Sequence, residues 1–179
     1  MTIPTGDIYS WIKTGNSWSL NGCRDGWQRF NRSDGISVCM KTFYSSGGIR
    51  RWIARENYCK PIGTDQIGVA SVEESQWIYG QMMQYKPASK TSFFFWADGS
   101  YKPANCNNAN FCEKIIWKDG YTKGIAALNT STNFDCICGG DYCPVVAYIP
   151  DNTTKTMTTV DCNVYGDGYV CGYDLKKSV

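Results

Sequence analysis

Ten cysteines and no histidine set the chemistry open to this 179-residue chain. The cysteines are Cys23, Cys39, Cys59, Cys106, Cys112, Cys136, Cys138, Cys143, Cys162 and Cys171. Thiols at this density either pair as disulfides or hold a metal. The run Cys136-x-Cys138-x4-Cys143 is dense enough for zinc, but structural zinc sites usually join two close pairs of ligands, and here no imidazole can contribute. An even, high count in a chain of this size is the pattern of a disulfide framework formed in an oxidising compartment. Three N-x-S/T sequons, at Asn31, Asn129 and Asn152, fit the same compartment as glycosylation sites. The cysteines therefore read as five disulfides in a secreted protein.

The missing imidazole also removes Ser-His-Asp and Cys-His arrangements and any histidine metal site. Paired carboxylates could still do acid–base work. The acidic residues, however, fall mostly in Asp-Gly turns and at helix starts, and no glycine-rich phosphate loop is present. The chain does not read as an enzyme. A net charge of +2, scattered along the chain, does not suggest a nucleic-acid partner. No apolar run reaches the roughly 20 residues of a membrane span, so no membrane insertion is expected. Met1-Thr2-Ile3-Pro4 has neither a basic nor an apolar signal region, so a signal segment would have been removed ahead of it. What remains is a binding module.

The elements that must position a binding surface follow from turn and periodicity signals. Residues 1–22 are polar and turn-rich and read as an extension that packs on the domain or frays. Cys23–Phe30 and Ile36–Phe43 alternate, and Asn31-Arg-Ser-Asp34-Gly35 between them supplies a turn, so a hairpin is expected. Ser45-Ser-Gly-Gly48 is expected to break the chain. A helix from about Arg50 to Cys59 places Trp52 and Cys59 on one face, and Pro61 ends it. Ser71-Val-Glu-Glu74 is a capping box that starts a second helix through Trp77, Ile78 and Met82. Trp52, Trp77 and Ile78 are expected to be core. Phe93-Phe-Phe-Trp96 suits a buried strand stopped by Ala97-Asp98-Gly99. Residues 101–144 have little periodicity and read as a long loop ordered by its cysteines. Val145–Ile149 and Gly168–Gly172 are strand-like, and Thr156–Cys162 can add another. The pattern Trp-x-Asp-Gly-x2-Lys occurs twice, at Trp96–Lys102 and Trp117–Lys123, and reads as two unrelated Asp-Gly turns.

In this order the segments resemble a C-type lectin-like domain, of the long form with an N-terminal hairpin and most like nematode secreted members. The resemblance rests on Cys23-x3-Trp27-x2-Phe30…Cys39, Trp52-x6-Cys59, Gly68-Val-Ala-Ser71-Val-Glu73-Glu74…Trp77-Ile78, Phe95-Trp96-Ala-Asp98-Gly99, Cys143-Pro-Val-Val, Cys162, and Tyr169-Val-Cys171-Gly-Tyr173. It implies an α+β fold, with two helices packed on small antiparallel sheets and a long stapled loop region. The implied layout is an extension at 1–22, the domain at 23–175 and a tail at 176–179. It further implies the pairings Cys23–Cys39, Cys59–Cys171 and Cys143–Cys162. Cys106, Cys112, Cys136 and Cys138 lie outside the family's common set, and three connectivities are open to them. Proximity favours 106–112 with 136–138, although the latter bridge spans one residue.

In that family, sugar recognition rides on calcium in the long loop, held by Glu-Pro-Asn or Gln-Pro-Asp and by Trp-Asn-Asp. Neither loop motif occurs here. Where Trp-Asn-Asp would stand, the chain reads Met157-Thr158-Thr159-Val160-Asp161-Cys162, and two threonines do not replace an amide and a carboxylate. No cofactor is expected by the usual mechanism. Asp135, Asp141 and Asp161 are the calcium candidates that remain, although Asp and Asn are also ordinary turn residues. The expected partner is an extracellular glycan, of microbe or host, or a protein ligand. It would be received by the loop region through Asn129, Asn133, Asp135, Asp141 and the exposed aromatics Tyr121 and Tyr142.

Overall fold

The computed structural model describes residues 22–101, 115–124, 126–129, 141–148 and 156–175, together with two short strands further upstream. Those strands, β1 (Trp11–Thr14) and β2 (Ser17–Leu20), pair antiparallel as a separate hairpin. Part of the N-terminal extension is therefore regular structure. Asn133, Asp135, Asn152, Cys106, Cys112, Cys136 and Cys138 lie outside the described residues.

The domain proper opens with β3 (Gln28–Asn31) and β4 (Ser37–Ile49), an antiparallel hairpin in the expected register. Asp34 and Gly35 make its turn. The Asp34 carboxylate accepts the Ile36 N–H, and Gly35 sits at φ +82°. Ser45-Ser-Gly-Gly48 does not break the strand, contrary to expectation. β4 runs on for 13 residues, but β11 (Gly166–Asp174) pairs with Val38–Tyr44 and again at Ile49, and the register skips Ser45–Gly48 at the shift between Gly166 and Gly168. The turn signal survives as a bulge inside a long strand, with Gly48 at φ +71°.

β11 is the centre of the sheet, and every residue in it is buried. It pairs antiparallel with β4 and with β5 (Asp65–Gln66), and parallel with β6 (Phe94–Trp96). β7 (Ser100–Tyr101), β8 (Ile115–Ile116), β9 (Tyr142–Ala147) and β10 (Met157–Asp161) extend the sheet beyond β6. The strands thus join in one mixed sheet of nine. Two glycines of β11 make this packing possible. A Cβ at Gly168 would run into the Phe43 carbonyl and the Phe95 ring, and one at Gly172 into Ile67.

The first helix begins as α1 (Arg51–Ile53), widens into a π-helical stretch at Ala54–Cys59 and closes as a 3-10 turn at Lys60–Ile62. Trp52 is 58% exposed while Cys59 is fully buried, so the expected shared face is not there. The i→i+5 winding carries fewer degrees per residue and slides Cys59 off the seven-residue register with Trp52. The second helix, α2 (Val72–Met83), starts as expected, with the Ser71 hydroxyl accepting the Glu74 N–H at 3.2 Å. Ile78 is fully buried and Trp77 partly so. The capping box is incomplete, because Glu74 reaches back to the Ala70 N–H (2.7 Å) instead of that of Ser71. Its carboxylate is turned by Arg32, which donates from Nε (2.7 Å) and Nη2 (3.0 Å). A short α3 (Ala126–Asn129) lies against α2.

Side chains alternate across β11. On the α2 side, Val170 joins Val38, Met40, Ile67, Ile78 and Val146. On the other side, Tyr169 and Cys171 join Ala54, Cys59, Trp96 and Val145. Three disulfides pin this arrangement. Cys23–Cys39 closes the hairpin, Cys59–Cys171 ties the first helix to the central strand, and Cys143–Cys162 joins β9 to the end of β10. These are the three pairings the family resemblance implies. Among the described residues no helix is long and apolar enough to cross a membrane.

Candidate functional site

β7 and β9 carry the long loop between them, so the region where they meet is its base. Tyr101 pairs with Tyr142, and Asp161 of β10 pairs with Tyr142 from the other side. Asp141, Tyr142 and Asp161 therefore come together beside the Cys143–Cys162 bridge. The Asp141 carbonyl accepts the Cys162 N–H at 3.0 Å, which locks this corner. Asp161 is exposed, and its Oδ1 accepts both the backbone N–H (2.8 Å) and the side-chain amide (3.0 Å) of Asn163. That is a turn-forming role. Among the described residues, no three cysteines or carboxylates cluster as a metal-holding group. Asn129 ends α3.

Tyr121 is not an exposed aromatic. It is buried in the core on the α2 side, with the Arg32 guanidinium 5.9 Å from its ring centre. Burial pushes its phenol well above the usual tyrosine range. Tyr142 is half-buried on β9. Of the two aromatics, only Tyr142 is partly exposed. Asn31 is exposed at the end of β3, where its Oδ1 accepts from Arg29 (3.0 Å) and Ser37 (2.8 Å).

The segment 115–124, which lies inside the long loop, is held by two aspartates that the sequence reading left as separate turns. Asp98 is fully buried after β6. Its carboxylate accepts the backbone N–H of Lys118 and of Asp119 and one N–H of Arg51 (3.1 Å). Asp119 in turn accepts the N–H groups of Gly68 (2.9 Å), Tyr121 (3.1 Å) and Thr122 (2.9 Å), and the Thr122 hydroxyl. Each Asp-Gly turn thus caps another segment, and Asp98 directly grips the turn of Asp119. Trp117 is wedged between the two turns and the segment at Gly68 that leads into α2. A Cβ at Gly68 would lie 2.6 Å from its ring and one at Gly99 2.9 Å, so both positions require glycine. The Trp117 indole N–H donates to the Gly124 carbonyl at 2.8 Å.

Arg32 completes the frame. Besides Glu74, it donates to the Thr122 hydroxyl (2.7 Å) and the Gly68 carbonyl (2.8 Å). One buried guanidinium therefore joins the N-terminal hairpin, the start of α2 and the loop segment. Burial raises the Asp98 pKa above the ordinary carboxylate range and lowers that of Arg51, despite their contact. Sequence reasoning missed Arg32, Asp98 and Asp119. The repeated Trp-x-Asp-Gly was the one signal for the two aspartates, and Arg32, inside a sequon and a turn, gave none.

No family model matches the chain, and no curated protein matches its sequence. Solved structures do match. CEL-IV superposes with a TM-score of 0.59 at 16% identity, over 84% of this chain and 93% of that one. SPL-1, solved as a GlcNAc complex, gives 0.53 at 20% identity, over 86% and 96%. Human lithostathine gives 0.53 at 14% identity, over 86% and 91%. At these identities the likeness establishes the fold.

Proposed function

From the C-type lectin-like fold that the chain adopts, we propose that it is a secreted, non-enzymatic glycan-binding module that receives its ligand on the long loop without the family's usual calcium motifs. The observation that carries the reading is the superposition on the SPL-1–GlcNAc complex, which spans nearly the whole of that protein. The frame of Arg32, Asp98, Asp119 and Trp117 supports it, because a stiff base lowers the ordering cost when a loop binds. The three disulfides fit an oxidising compartment. Asn31, exposed on the hairpin, is a sequon that can carry a glycan.

The test is a glycan array probed with the oxidised protein, once with calcium and once with chelator. Binding that persists in chelator is the expected result. Binding lost with chelator would restore the calcium mechanism and point to Asp135, Asp141 and Asp161. An absence of glycan binding in both buffers would refute the reading and favour a protein ligand on the same loop. Tyr142→Ala should weaken the glycan signal with little change in melting temperature. A mass loss on enzymatic deglycosylation, abolished by Asn31→Gln, checks the sequon.

A further inference from the structure

A cavity of about 440 Å³ opens where the N-terminal hairpin, the entry to α2 and the end of the loop segment 115–124 meet. It is lined by Arg32, Ser33 and Asp34 of the hairpin turn, by Ala70 ahead of α2, and by Lys123 and Gly124 of the loop. The volume lies within the range of small-molecule sites, about 300–1,000 Å³.

The backbone of each wall is pinned. In the hairpin turn the Arg32 N–H donates to the Ile36 carbonyl (2.8 Å), and the Gly35 N–H donates to the Arg32 carbonyl (3.0 Å). The Ala70 N–H donates to Glu74 at 2.7 Å, and the Gly124 carbonyl accepts the Trp117 indole N–H at 2.8 Å. The Arg32 guanidinium ties the three walls to one another through Glu74, Gly68 and Thr122. A cavity held in this way keeps its shape without a ligand, which lowers the ordering cost of binding.

Three polar side chains in the lining are, by contrast, unspent. Ser33 and Lys123 are exposed, and neither side chain bonds to any described residue. Asp34 gives Oδ1 to the Ile36 N–H and keeps Oδ2 open. Arg32 is not a second open cation, because Glu74 matches its charge. The cavity therefore offers one ammonium, one carboxylate oxygen and one hydroxyl. The rest of its wall is backbone and the methyl groups of Ala70 and Ala126.

We infer that this cavity binds the acidic unit of a glycan, a uronic or sialic acid, with the sugar carboxylate on Lys123 and ring hydroxyls on Asp34 and Ser33. This rests on the glycan-binding reading above and gives it a sugar class. A bare anion suits Lys123 but is opposed by Asp34. A metal cation would find a single carboxylate and an opposing ammonium, too few oxygens for calcium. An apolar ring would meet no apolar wall larger than a methyl group. An acidic sugar supplies one negative charge for the ammonium and hydroxyl protons for the carboxylate, and charge-assisted bonds of this kind are the stronger ones.

The test is an amide NMR titration of the oxidised full chain, produced without N-glycans. The probes are the methyl glycosides of glucuronic acid and N-acetylneuraminic acid, each compared with its uncharged methyl ester. One of the acids should bind more tightly than its ester by about tenfold or more, and shift the amides of residues 33–34 and 123–124. Lys123→Ala should bring that acid down to the level of its ester, and Lys123→Arg should keep the preference. Equal binding of acid and ester overturns the inference, as does a preference that survives Lys123→Ala. Binding of inorganic phosphate or glycine as tight as that of the acid overturns it too. Neutral glycans bound on the array with no preference for acidic ones would remove the acidic sugar and leave the glycan reading standing. An array with no glycan bound at all would remove both.

Discussion

Replacing Glu74 with Gln should be among the most damaging single changes of a surface-sized group in this protein. The side chains of Arg32 and Glu74 are only 4% and 1% exposed. The carboxylate accepts two guanidinium N–H groups and the Ala70 N–H. Glutamine keeps the shape, but it turns one acceptor into a donor facing an Arg32 N–H and leaves the guanidinium buried without a counter-charge. The other Arg32 partners, the Thr122 hydroxyl and the Gly68 carbonyl, are neutral. Breaking one side of a buried pair costs about 3–5 kcal/mol. With a urea m-value of about 1–3 kcal/mol/M, the unfolding midpoint should fall by more than about 1 M. Ser71→Ala is the internal control, since it removes the neutral cap of the same helix and should cost about 1 kcal/mol. Urea unfolding of the disulfide-intact proteins measures both. If Glu74→Gln costs no more than Ser71→Ala, the ion pair is not what holds the hairpin, helix and loop together. A double change to Arg32→Met with Glu74→Leu should recover most of the loss, because an apolar pair of similar volume leaves no charge stranded.

Four further outcomes are expected. Changing Cys59 and Cys171 together to Ser opens a link that spans 112 residues and should cost about 4–5 kcal/mol in urea unfolding, on a chain-entropy account. Gly99→Ala should lower the melting temperature, because its φ of +107° and the Trp117 ring both oppose a side chain, a combined cost of about 2–4 kcal/mol. Burial raises the native Asp98 pKa, so between the unfolded value near 4 and the native value the native state binds the extra proton, and stability falls as pH rises. Wild type should therefore gain on Asp98→Asn as pH is lowered, and a gap that stays constant from neutral to acid would count against this. Burial pushes Tyr169 up to about 12, so stability should be lost as pH climbs from about 10 through that value, and Tyr169→Phe should flatten the alkaline limb.

What the sequence made legible was local or carried by the family's spacing. Ser71 ahead of Glu74 announces a helix start because the cap is a four-residue event, and Phe93–Trp96 announces a buried strand because it has no polar residue to expose. Six cysteines took their partners from the order of the family's segments. Trp52 was misplaced because a π-helical stretch leaves no mark on hydrophobic periodicity. Ser45–Gly48 is a bulge and not a break because β11, more than a hundred residues away in sequence, picks the register up again at Ile49. Tyr121 is buried and not exposed because Arg32 and the α2 core enclose it, and nothing near it in sequence reveals that. The Trp52 miss is one of local winding, whereas those at Ser45–Gly48 and Tyr121 concern contacts between segments far apart in sequence, where tertiary packing overrides local propensity.

The same long-range contacts bear on how the loop keeps its shape. A calcium site needs carboxylate oxygens with lone pairs to spare. Asp98 gives its own to two backbone N–H groups and Arg51, and Asp119 gives its own to three backbone N–H groups and a hydroxyl. Asp161 serves Asn163. These aspartates already do by hydrogen bonding to backbone what an ion does by coordination, which is to fix the path of the chain. Thr158 and Thr159, at the positions of the family's amide and carboxylate, are consistent with that exchange. On the proposed calcium-independent reading, chelation should leave the melting temperature unchanged. A drop of several degrees on chelation, restored by calcium alone, would show that the ordering of the loop still depends on an ion.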